Sequence, residues 1–163
     1  MTAIFSIGAL ALVLSAGPAG AGGKDEVDFV TRASIGNLFA IAQSQLAIGQ
    51  ASDPKIKAFA QQLVEDHGKA ETELESAADG SGATVSTALD RDHRARMTAL
   101  QGKSGADFDK AYVADQSEMH SNALTLYADY MLLGDNAKLK TLAIKMIPVT
   151  ETQLKNAQAL AGN

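Results

Sequence analysis

Four long stretches of this chain repeat their apolar residues at intervals of three and four, the spacing that paints one face of a helix, and this predicts an all-α bundle. In residues 54–78 the stripe is Ile56, Phe59, Ala60, Leu63, Ala70 and Leu74. Residues 26–50 carry Val30, Leu38, Ile41, Leu46 and Ile48. Residues 107–133 carry Phe108, Tyr112, Met119, Ala123, Leu126, Tyr127 and Tyr130, and residues 136–160 carry Leu139, Leu142, Met146, Thr150, Gln153 and Ala157. The punctuation agrees with these boundaries. Ser52-Asp53-Pro54 offers a cap and a proline suited to a first helical position, Asp79-Gly80-Ser81-Gly82 stops the second helix, and Gly134-Asp135 separates the last two. Asp135 is the expected cap of the fourth helix. Pro148 lies inside that helix, where it removes a backbone hydrogen bond and should bend it.

The connection between the second and third long helices spans residues 79–106, with a short helix expected over 87–102. A segment of this length can travel along a bundle, whereas short loops join antiparallel neighbours. Two hairpins joined by one such crossover make a ferritin-like four-helix bundle with a short extra helix.

Composition narrows the function. The 163 residues include 14 Lys+Arg against 19 Asp+Glu, a net charge of −5, which gives no electrostatic reason to bind nucleic acid. Cysteine is absent, so disulfides, thiolate catalysis and thiolate-held zinc or iron–sulfur clusters are excluded. Residues 3–16 form an uncharged, mostly apolar run followed by Gly17-Pro18-Ala19-Gly20-Ala21. This is the pattern of an export signal over residues 1–21, cut after Ala21, although no Lys or Arg precedes the run. The run is shorter than the roughly 20 residues that span a bilayer. A periplasmic or secreted domain over residues 24–162, without stable membrane insertion after processing, is therefore expected.

Against this apolar background the polar residues on the inner faces stand out. His67 sits at the centre of its stripe with Glu71 one turn further on, and His120 lies on the flank of the third stripe. At 1.5 Å per residue, His67, His120 and Gln153 fall within about a turn and a half of one height. Two readings are open. Glu71 can simply satisfy His67 as an i,i+4 partner; alternatively, His67, His120 and Glu71 together bind a divalent ion, imidazole nitrogen and carboxylate oxygen both being suitable ligands. Asp66 is expected on the solvated flank, His93 in an exposed charged turn with Asp90, Arg91, Asp92 and Arg94, and Glu118 at the surface. Tyr112, Tyr127 and Tyr130 read as packing residues. Gly36 either permits close helix approach or only weakens its helix.

Leu63-Val64-Glu65-Asp66-His67, then Phe108-Asp109-x-x-Tyr112 with His120 eight residues on, then Ile147-Pro148 and a closing helix, resemble a bacterial family, the domain of unknown function 4142. The resemblance covers roughly residues 27–160. It implies an exported protein of ferritin-like fold and no agreed activity. Two departures accompany it: the family's usual third histidine, five residues after the proline, is here Gln153, and a glutamate common in its first helix falls near Ala40.

Enzymatic readings find little support. A di-iron centre needs carboxylates from all four helices and two Glu-x-x-His motifs, yet Val64 and Ser117 stand where those glutamates would be. No nucleophile elbow or phosphate-cradling glycine loop occurs. The expectation is a non-enzymatic envelope protein without a cofactor, binding an unidentified protein or envelope partner or serving in stress, with divalent-metal binding as the alternative. A homodimer through spare apolar surface at Ile144 and Ile147 is a further expectation.

Overall fold

The computed structural model describes residues 23–162, so the proposed leader over residues 1–21 lies outside the described residues. Five helices follow one another: α1 (Lys24–Gln50), α2 (Pro54–Ala78), α3 (Arg91–Gln101), α4 (Gly105–Leu133) and α5 (Ala137–Ala161). No strand occurs among the described residues, and no helix there is long and apolar enough to cross a membrane.

The helix ends follow from local chemistry. Asp53 accepts the Lys55 amide at 2.7 Å while Pro54, which has no amide proton to waste, starts α2. At α5 the cap is Asn136 rather than Asp135: its Oδ1 accepts the Lys138 and Leu139 amides at 3.0 and 3.2 Å. The short crossover helix also starts later than expected, because Asp90 takes the cap position, accepting the His93 amide at 2.8 Å, and residues 87–89 stay outside the helix. Gly134 closes α4, its amide bonded to the Tyr130 carbonyl. A methyl group there would come within 2.6 Å of that carbonyl and of the Tyr130 ring, so the position needs glycine. Helix α5 runs unbroken through Pro148, which sits on the exposed face where water can take up the carbonyl that loses its donor.

α1 packs along α2 and α4 along α5, and the two hairpins meet through α1–α4 and α2–α5. Residues from the start of α1, the end of α2, the end of α4 and the start of α5 share one apolar cluster, centred on Phe29, Leu74, Tyr130 and Leu139. The opposite ends share another, with Ala47, Ile56, Phe108 and Tyr112. The chain therefore runs up, down, then back along the bundle through residues 79–104, then down and up. The crossover lies against α1 and α4, where Arg96 of α3 bonds Asp115 at 2.8 Å and stands 5.1 Å over the Phe39 ring.

The Phe-Asp-x-x-Tyr element is structural. Phe108 and Tyr112 are fully buried with near-parallel rings, and the Tyr112 hydroxyl meets Ser44 Oγ at 2.9 Å. Asp109 between them fastens the α1–α2 turn, accepting the amides of Ser52 and Asp53 at 2.9 Å each. Burial alone would raise its pKa; the bonds from Ser52 and Asp53 outweigh that and hold the carboxylate below its ordinary value.

Candidate functional site

Between the two apolar ends lies a polar layer. His67 and His120 are 8 % and 1 % exposed, and their Nε2 atoms face each other at 3.4 Å. The ring centres are 5.5 Å apart. Each nitrogen lies about 1.1 Å from its ring centre, the radius of a five-membered ring with bonds of this length, so the rings meet almost tip to tip.

The other nitrogen of each ring fixes the proton positions. His120 Nδ1 lies 2.7 Å from the Gln116 carbonyl oxygen, which can only accept, so Nδ1 must donate. His67 Nδ1 lies 2.9 Å from Asn37 Oδ1. The orientation of that amide is set by Glu71, whose carboxylate takes the Asn37 Nδ2 proton at 2.9 Å and the Ser34 hydroxyl at 2.5 Å. Asn37 therefore presents oxygen to the ring, and His67 Nδ1 also donates. A neutral imidazole carries one N–H. Both Nε2 atoms are thus bare lone pairs aimed at one another, an arrangement that repels unless something positive stands between them.

Protonation is a poor remedy. Burial, and then repulsion from His120, lower the His67 pKa to about 3. Burial also lowers that of His120, against the opposing pull of the Gln116 carbonyl and then Gln153. The Gln153 Oε1 atom is itself buried without a hydrogen-bond donor, and it could accept from His120 only if that ring were protonated. Its amide nitrogen reaches Asp66 at 3.5 Å. Two imidazole nitrogens and an amide oxygen, all electron-pair donors, are thus gathered in the polar layer.

Glu71 is not brought to either ring. It sits behind Asn37, orienting the amide that orients His67, instead of pairing with His67 directly, and it contributes to holding the Tyr127 hydroxyl up at about 12 after the larger effect of burial. Among the described residues no group of three or more His, Asp or Glu side chains is arranged to hold a metal ion. Asp66 is half-buried instead of fully solvated, bonded to Gln62 and to the buried Gln153, whereas Glu118 is exposed beside Arg96, as expected. His93 departs from expectation. It lies in the first turn of α3, half-buried, its ring edge-on to Phe39 at 4.7 Å, because Asp90 caps the helix and turns the ring inward.

Asn37, Gln43 and Gln116 were not legible from apolar periodicity. Gln116 donates to Gln43 at 2.9 Å, and Gln43 to Asp115 at 2.6 Å, tying α1 to α4. A signal existed: Ser34, Asn37 and Ser44 keep the three-to-four spacing of an inner face, filled with polar residues.

A cavity of about 400 Å³ opens between α1, α3 and α4 and reaches the pair; its walls include Gly36, Asn37, His93, Met119 and Tyr127 besides the two rings. A methyl group at Gly36 would touch nothing within 4 Å, so this glycine borders open space rather than a closely approaching helix.

These features define a class: an all-helical bundle of two crossed hairpins with a histidine pair across its middle. The chain belongs to the family described as Domain of unknown function (DUF4142), whose model matches residues 11–160. Among solved structures it is similar to a DUF305 fragment from Deinococcus radiodurans, with a TM-score of 0.75, 11 % identity, and coverage of 88 % of this chain and 99 % of that one. It is also similar to CopM. The Ag-bound form from co-crystallisation and the Cu(I)-bound form each give a TM-score of 0.66 and 17 % identity, covering 82 % of this chain and 93 % of CopM. The Cu(II)-bound form gives 0.66 and 16 %, covering 87 % and 98 %. At such identities the likeness is one of fold. No curated protein matches the chain.

Proposed function

We propose that this protein is a non-enzymatic bundle that holds one soft metal ion, Cu(I) or Ag(I) in class, between His67 Nε2 and His120 Nε2. The supporting observation is that both Nδ1 atoms donate to fixed oxygens and leave two bare Nε2 lone pairs facing head-on. Ligating histidines characteristically give their second N–H to such acceptors, which fixes the tautomer. A divalent ion prefers four or more ligands, and Glu71 is already engaged by Asn37 and Ser34. A d¹⁰ monovalent ion accepts two nitrogens in line, with Gln153 Oε1 as a weak third donor. Metal–nitrogen bonds of about 2 Å each require the rings to part by roughly 0.6 Å, which small side-chain rotations provide. The metal-bound forms of CopM, a protein of similar fold, agree with this reading. Storage or buffering of the ion outside the cytoplasm is the role that follows if residues 1–21 direct export.

The test is a thermal melt with Ag(I), reduced copper, Zn(II), Ni(II) and Mn(II) added singly to metal-free protein. At about 100 times its dissociation constant a single Ag(I) should add about 2.7 kcal/mol, a rise of roughly 8–10 °C in a domain of this size. His67→Gln should remove that rise. A melting temperature indifferent to every ion, or a rise that survives His67→Gln, would overturn the proposal.

A further inference from the structure

The sequence contains three histidines, and all three line the same cavity. His67 and His120 form its inner end. His93 stands apart from them on α3, with 27 % of its side chain exposed. It repeats the feature that marks the inner pair: its Nδ1 lies 2.8 Å from a fixed acceptor, Asp90 Oδ1. That carboxylate is itself held, since it also accepts the His93 amide. With Nδ1 donating to Asp90, the remaining lone pair of His93 is on Nε2. The edge contact with Phe39, which also lies under the Arg96 guanidinium at 5.1 Å, limits how the ring can turn. Met119 and Met146, soft thioether donors, line the same cavity.

We infer that this cavity is the loading route for the ion and that His93 is its entry ligand, capturing a hydrated soft cation at the rim and passing it to His67 and His120. The inference rests on the proposed ion site. The chemistry needs no covalent step: water ligands are exchanged for imidazole nitrogen at the rim, and that nitrogen for two others inside. A half-exposed imidazole at the rim can meet a hydrated ion before the buried pair, which lies at the inner end of the cavity. Capture at the rim is reversible because His93 binds as a single ligand while the inner pair binds as two. Gly36 supports the same reading, since a larger residue there would narrow the passage without meeting packed atoms.

The experiment is stopped-flow mixing of metal-free protein with Ag(I), followed by tyrosine fluorescence, Tyr127 being a wall of the cavity. His93→Gln, which keeps a donor for Asp90, should slow loading about tenfold and slow release in proportion. Gly36→Leu should slow both as well, by plugging the passage while raising helix propensity. His67→Gln should abolish the signal. Loading at the wild-type rate in both His93→Gln and Gly36→Leu would overturn the loading route and leave the ion site standing. No signal from the unaltered protein, or a full signal in His67→Gln, would overturn the ion site and this inference with it. Circular dichroism of each variant separates slowed loading from a damaged fold.

Discussion

Replacing Glu71 by Ala should cost the folded protein about 3 kcal/mol and weaken Ag(I) binding by about 10–100-fold, although Glu71 touches neither imidazole. The carboxylate accepts the Ser34 hydroxyl and the Asn37 amide, and hydrogen bonds to a charged acceptor are worth about 1.5–3 kcal/mol each, less whatever water recovers at this half-buried position. Both donors sit on the buried face of α1; removal of the carboxylate leaves the Asn37 amide short of a partner, while the Ser34 hydroxyl keeps only its longer bond to the Ser86 carbonyl at 3.3 Å. The loss of affinity has a separate cause. Without the carboxylate, nothing compels Asn37 to point its oxygen at His67. The amide can turn over, His67 then accepts at Nδ1 and carries its proton on Nε2, and that proton occupies the lone pair the ion needs. Glu71→Gln should sit between the two, since its carbonyl oxygen still accepts but without charge. Denaturant unfolding and Ag(I) titration of the three proteins check this; an affinity unchanged in Glu71→Ala would break the link from Glu71 through Asn37 to His67.

Acid should destabilise the metal-free protein strongly and early. Unfolded, His67 takes up a proton as pH falls through its ordinary value of 6.5, while in the fold burial and the neighbouring His120 delay uptake to about 3. Between those values the unfolded chain binds more protons than the native one, so stability is fully present above about pH 7 and falls as pH decreases. One such histidine gives a limiting slope of about 1.4 kcal/mol per pH unit, or about 2 kcal/mol lost between pH 6.5 and 4.5. His120, lowered in the same direction, steepens the fall. His67→Gln should flatten the profile over this window. Urea unfolding at half-unit steps of pH measures it; a stability constant from pH 7 to 4.5 would mean that neither ring is buried in its neutral form.

The bundle was legible because a helix that buries one face must repeat its apolar residues at that face's period. The ends of α1, α2 and α4 consequently fell within two residues of expectation, and residues 79–106 were already long enough to run the length of the bundle. Caps were harder. Asp135 and Asn136 are both good capping residues, and the choice between them depends on which side chain the turn after Gly134 directs at the α5 amides. The histidine pair could be anticipated from stripe position and height. Its supporting residues could not, because apolar periodicity does not mark polar residues that are buried by their hydrogen bonds, as Asn37 is with Glu71 and His67 and as Gln43 and Gln116 are with each other. Glu71 lies one turn from His67, close enough to suggest a direct pair, but the intervening amide of another helix decides the geometry. His93 sits in a run of charges that reads as solvated; the half-buried contact with Phe39 arises from the docking of α3, which no local pattern encodes.

The ion site between His67 and His120 depends on where two protons sit. Nitrogen-15 NMR of the imidazoles, recorded on metal-free protein at neutral pH and again with one equivalent of Ag(I), reads this directly. The expected spectrum has Nδ1 protonated and Nε2 bare in both His67 and His120, with both Nε2 resonances moving on addition of silver while the Nδ1 protons stay in place. A proton found on Nε2 of either ring, or silver that leaves both Nε2 resonances where they were, would contradict it.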